Sequence, residues 1–161
     1  MKKITDSITL LAVTAWVGAT WAMGYLAAPV LFQVLPDRQL AGMLAGKLFS
    51  ITATMGIVCA LYLLGYYVFR CGKQVFRHKT VWVISLMLLL TLLGQLVFQP
   101  LLAELKTQAL PAAVMHSEFA GQFRAWHGVA SITYLIQSLL GLVLVLRVAD
   151  NRTDVPQRNA A

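Results

Sequence analysis

The chain predicts an all-α integral membrane protein: a four-helix bundle with both termini cytoplasmic and short interfacial helices on the outer side. Three observations lead there. Of 161 residues, 59% are hydrophobic and 12% charged, against about 25% charged residues in an ordinary soluble domain. Four stretches free of charge are long enough to cross a bilayer, and Lys and Arg are shared unevenly between the connections on the two sides. The net charge of +7 comes from 13 basic residues against only 6 acids. Nucleic acid is not a fitting partner, because such binders carry Lys and Arg on a folded polar surface that this composition cannot build. The lipid bilayer is the partner it does fit.

An ionised side chain at the centre of a membrane helix costs about 2.5 to 3.5 kcal/mol, so the charge-free windows locate the spans. They run from Ser7 to Pro36 (30 residues), Leu48 to Phe69 (22), Thr80 to Ala103 (24) and Ala125 to Leu146 (22). At about 1.5 Å per residue and about 30 Å of hydrocarbon, each crosses once. Helices are therefore expected near 8–30, 48–69, 81–99 and 126–146. The first follows Lys2 and Lys3 as a signal peptide would. It exceeds the roughly 7 to 15 residues of a signal core and contains Trp16 and Trp21, so it is expected to remain as a membrane helix.

Pro29, with Ala28 before it, should end or kink helix one. Pro36 and Asp37 should open a short interfacial helix, followed by helix two. Pro100 should end helix three. Residues 101–124 form the longest connection, where Pro111 should open a second short helix running into helix four. That register would put His116, Phe119, Phe123 and His127 on one face. Lipid gives helices no hydrophobic reason to associate, so small residues and hydrogen bonds must do it. Helix one offers Ala15 with Ala19, Gly18 with Ala22, and Gly24 with Ala28. Helix two offers Thr52, Gly56 and Ala60, and Gly42 and Gly46 form a GxxxG ahead of it. Thr14, Thr20, Thr91, Gln95, Ser131, Thr133, Gln137 and Ser138 are uncharged polar groups at membrane depth, suited to bonds between helices. A single domain over 1–149 would be followed by a disordered cytoplasmic tail, 150–161.

Nine Lys and Arg residues fall in the N-terminus, the 70–79 loop and the tail, against four on the other side: Arg38, Lys47, Lys106 and Arg124. The positive-inside rule then makes both termini cytoplasmic. Cys59 lies in an apolar window and Cys71 in the basic loop, so neither a disulfide nor a zinc site is expected. A weak internal likeness joins residues 31–35 with 97–101, and 45–49 with 120–123. It would fit two helix pairs related by an axis along the membrane normal.

All six acids, Asp6, Asp37, Glu104, Glu118, Asp150 and Asp154, lie outside the windows. General acid–base chemistry needs a carboxylate or His poised beside a second group, and a proton-coupled transporter usually buries an acid, so no catalytic residue is assigned. The chain is thus expected to be non-enzymatic. The outer end of the last helix collects Glu118, Arg124, Trp126 and His127, a cluster suited to anchoring that helix or to binding a small ligand or partner. Glu118 and Arg124 are the candidate ion pair there.

Gly18 to Gly24, Ala28-Pro29-Val30-Leu31-Phe32, Leu35-Pro36, Ala41-Gly42, Gly46 and Leu48-Phe49 resemble the N-terminal signature of the bacterial domain-of-unknown-function 4149 family, related to the eukaryotic transmembrane protein 205 group. Glu118, Phe123, Trp126-His127-Gly128 and Ser131 resemble its second motif. Tyr134 departs from that pattern, standing where several relatives carry Asn, which puts hydrogen bonding at that position in question. The resemblance implies a four-helix protein of the bacterial inner membrane, with Gly24, Pro29, Phe32, Gly42, Gly46 and Phe49 as structural motif residues. It also carries a remote likeness to the copper-resistance-D-like superfamily, some members of which bind haem or handle copper. On that basis His127 is a candidate haem or metal ligand, with Met55, Met87 or Met115 as a second ligand. A small-solute exporter is a further alternative, and homo-oligomerisation is left open.

Overall fold

The structure, a computed structural model of the chain, describes residues 2–110 and 114–153. It is helical throughout. The first span is α1 (Lys2–Trp21), a π-helical segment (Ala22–Ala27) and α2 (Ala28–Val34); the second is α3 (Arg38–Cys71), which ends in a 3-10 turn, Gly72–Arg77. The third is α4 (Lys79–Leu93), a second π-helical segment (Gly94–Phe98) and α5 (Gln99–Gln108). A 3-10 turn, Val114–His116, precedes the fourth, α6 (Ala120–Thr153). Four stretches, Ile4–Val34, Arg38–Arg77, Lys79–Gln108 and Ala120–Asp150, are long and apolar enough to cross a membrane. The last three outrun their charge-free windows at both ends, because 30 to 40 residues at about 1.5 Å each also cover the headgroup zones.

The first span packs on the second and fourth, and the third packs on the same two. The result is a closed ring of antiparallel neighbours. The start of α1, the 72–78 connection and the end of α6 share one end, called here the terminal end; the other is the distal end. The core lies toward the terminal end: Val13, Trp16 and Val17 of α1 meet Ala60, Leu63 and Tyr67 of α3, Ile84 and Met87 of α4, and Leu144 and Val148 of α6. Large apolar side chains such as Val58, Leu61, Ile132 and Leu135 stand exposed around the outside, the arrangement of a surface that faces hydrocarbon.

Three expectations are corrected here. Neither Pro29 nor Pro100 ends its helix. Each lies at the start of a helix entered from a π-helical segment, where Ala28 N–H bonds to the Met23 carbonyl and Gln99 N–H to the Gly94 carbonyl. A proline ring clashes with the carbonyl four residues back and cannot donate to it. In both spans that carbonyl, of Tyr25 or Leu96, falls in the widened turn, which absorbs the conflict.

The short interfacial helix expected after Pro36 is instead the first three turns of α3. The Asp37 side chain caps it by accepting from the Gln39 and Leu40 N–H groups at 2.7 and 3.3 Å. Nothing then interrupts the helix until Gly72, whose φ of 53° only glycine adopts easily. The second short helix does not run into α6. Residues 111–113 lie outside the described residues, and beyond them the Ser117 hydroxyl donates to the Val114 carbonyl at 2.8 Å and accepts from the Phe119 N–H at 3.3 Å. Such local bonds offer the backbone an alternative to helix. His116 therefore sits in a separate turn, and Phe119 precedes α6. Of the expected tail, residues 150–153 continue α6, and the rest lies outside the described residues.

Candidate functional site

At the distal end, Phe123 and His127 lie one turn apart on α6, and their rings stack at 5.7 Å with 8° between planes. Lys106 Nζ stands 5.7 Å from the Phe123 ring centre, a cation–π contact, and donates to the Gly42 carbonyl at 3.3 Å. A Cβ at Gly42 would meet Lys106 Nζ at 3.5 Å and Phe32 Cζ at 3.8 Å. Both are ordinary contact distances, so the seat of the ammonium is the Gly42 carbonyl itself. Gly42 and Phe32, picked out from the sequence, border a lysine that the sequence marks only as a charge, and His127 joins them through Phe123.

The rest of the sequence-derived cluster is looser. Trp126 is 40% exposed with its ring 6.4 Å from that of Phe98. Arg124 Nε donates to its own helix at the Ala120 carbonyl, 3.3 Å away. No ion pair joins it to Glu118, and both are exposed. Met87 lies in the core toward the terminal end, while Met115 is 50% exposed. Among the described residues, no group of three or more His, Cys, Asp or Glu is placed to hold a metal ion.

Inside the bundle, polar side chains tie one span to the next. Gln95 Nε2 donates to Ser50 Oγ at 2.7 Å and Gln99 Nε2 to the Gly46 carbonyl at 3.5 Å. With Lys106 on Gly42 these make three rungs, meeting α3 at 42, 46 and 50, one per turn. The GxxxG is therefore a row of open carbonyls for long donors. Gln137 Nε2 reaches Thr91 Oγ1 at 3.0 Å, and Trp21 Nε1 donates to the Ser138 carbonyl at 3.2 Å. Tyr134 donates its hydroxyl to the Thr20 carbonyl, so this position does hydrogen-bond although it is not Asn. The same ring meets Phe49 edge-on at 5.2 Å and lies where a Gly24 side chain would be. Gly24 and Phe49 thus serve one purpose, the seating of Tyr134.

A third constellation, at the terminal end, escaped sequence reasoning. Asp6 accepts from the Tyr66 hydroxyl at 2.7 Å and from Arg70 Nη1 at 2.8 Å. Arg70 Nη1 also donates to the Tyr66 hydroxyl, and its guanidinium stands 5.6 Å from that ring's centre. Below this cluster a groove of about 590 Å³ runs between α1 and α3, past Thr5, Leu61, Gly65 and Phe69. It continues for about 410 Å³ past Ile8, Ala15, Val58 and Cys59, with Tyr62 lining both parts. Asp6 and its partners are 60 and 64 residues apart in the chain, so no local spacing signals them. The only hint was an acid one residue before an apolar window.

A family model described as Domain of unknown function (DUF4149) matches residues 11–111. That stretch covers most of the first three spans, with Gly24, Pro29, Phe32, Gly42, Gly46, Phe49 and Lys106, and stops short of α6. No curated protein and no solved structure matches the chain.

Proposed function

The chain belongs to the DUF4149 family, and from that premise we propose a non-enzymatic protein of the bacterial inner membrane, both termini cytoplasmic, whose distal end binds a small ligand or a partner. One contrast supports this reading. Gln95, Gln99, Lys106 and Gln137 are spent on ties between spans, whereas Glu118, Arg124, Trp126 and His127 remain exposed. Among these, His127 is oriented in advance by its stack on Phe123, itself beneath Lys106. Exposed polar groups on a rigid support are the usual material of a binding site.

The chemistry of the patch suggests its ligand. Arg124 and His127, three residues apart, share a face of α6, with the flat apolar surface of Trp126 and Phe98 adjoining. A small anionic molecule bearing an apolar ring, or an acidic partner segment, would match both parts. Placing a photo-crosslinking residue at Trp126 in intact cells tests this. A discrete adduct is expected, reduced about tenfold or more by Arg124→Ala or His127→Ala, as loss of a charged hydrogen bond implies. A covalent pair of chains would make the partner a second copy. An adduct pattern indifferent to both substitutions overturns the proposal. So does an intense haem absorbance in the purified protein that His127→Ala removes, which would favour a haem-associated redox protein.

A further inference from the structure

We infer that the groove between α1 and α3 holds one anionic phospholipid of the terminal-end leaflet, its phosphate on Arg70 and one acyl chain along the groove. The dimensions fit a single leaflet. On α1 the lining runs from Thr5 to Ala15, about 15 Å at about 1.5 Å per residue, half of an about 30 Å hydrocarbon core. The lining suits a hydrocarbon chain: Ile8, Leu11, Val58 and Leu61 are apolar, Ala12 and Ala15 are small, and no atom lies within 4 Å of a Cβ built on Gly65.

The mouth selects the headgroup. Arg70 uses Nη1 alone for Asp6 and Tyr66, which fixes the plane of the guanidinium. Its Nε and Nη2 edge has no hydrogen-bond partner among the described residues, and its side chain is 46% exposed. That planar edge matches two phosphate oxygens. Lys73, Arg77 and Lys79 are exposed at the same end, so the local charge favours an anionic lipid over a zwitterionic one. Phe69, 93% exposed, stands beside the mouth, where aromatic residues meet the headgroup zone. The site lies at the opposite end from the His127 patch and is independent of it.

The test uses the full chain in nanodiscs of equal phosphatidylglycerol and phosphatidylcholine, released into mild detergent and weighed by native mass spectrometry. One retained phosphatidylglycerol per chain is expected, enriched about fivefold over phosphatidylcholine, the factor for one basic contact with an anionic surface. Arg70→Gln should abolish the enrichment but leave a lipid bound. Gly65→Leu, filling open space, should remove retention of either lipid; if it fails to fold, Leu61→Trp blocks the same groove. Three results each overturn the site: no retained lipid, equal retention of both lipids, or enrichment that survives both Arg70→Gln and the groove-filling variant. The last two would mark annular lipid only. The Trp126 adduct should be unchanged by these variants.

Discussion

Several glycines here are seats for a particular side chain, and the seats differ in ways the sequence does not reveal. A Cβ at Gly24 would strike the Tyr134 ring and one at Gly56 the Trp16 indole, while Gly18 has nothing within 4 Å. Trp16 is 1% exposed and cannot step aside cheaply. Gly24→Ala and Gly56→Ala should each lower stability by about 1 to 3 kcal/mol, the range for overpacking a tight interior. Gly18→Ala should stay within about 0.5 kcal/mol. Thermal unfolding in one detergent checks all three, and equal losses would refute the distinction. The spacing of small residues made Gly18, Gly24 and Gly56 equal candidates. Which of them meets a large ring depends on helix rotation, which no single span encodes.

Along the elements, the seam between α3 and the third span rests on hydrogen bonds of the kind worth about 0.6 kcal/mol on average inside membrane proteins. Gln95→Leu should cost about that much, and adding Ser50→Ala should cost almost nothing more, since the pair acts as a unit. Additive losses in unfolding measurements would show that Ser50 Oγ and Gln95 do not depend on each other. Of the polar residues read as glue at membrane depth, Gln95, Gln137 and Thr91 join spans through their side chains, while Thr20 and Ser138 receive a partner only at their backbone carbonyls and turn their hydroxyls back on their own helix. Ser131 and Thr133 likewise bond back to their own helix. Boundaries were less legible. Pro29 read as a stop or a kink, and Pro100 as a stop, because a π-helical turn leaves no mark in hydrophobic periodicity. Ser117 broke the expected run into α6 because a short hydroxyl can satisfy two backbone groups by itself.

For the whole molecule, the cost of charge in hydrocarbon was enough to find four spans. The closure of the ring was not legible, nor was the meeting of Asp6 with Arg70, since both are products of packing between distant segments. The basic bias predicts one orientation, and topology reporters check it. Reporter fusions at Gln74, in the turn at the terminal end, and at Gln108, at the distal end of α5, should give cytoplasmic and external signals respectively. The reverse pattern would invert every statement about sidedness. The first and third spans share a wide turn followed by a helix with proline at its second position, Pro29 and Pro100.

Each wide turn also carries a spare residue, and at about 3.6 residues per turn one residue is worth about 100° of azimuth. The compass bearing of everything distal to it, Phe32 in the first span and Gln99 with Lys106 in the third, is thus set by an insertion and not by the apolar stripe. Straightening either wide turn into α-helix with its residue count kept would swivel that outer third by about 100°, taking Phe32 from beside Gly42, or turning Gln99 and Lys106 away from the carbonyls they cover, whereas trimming one residue would remove the wide turn and leave those bearings in place.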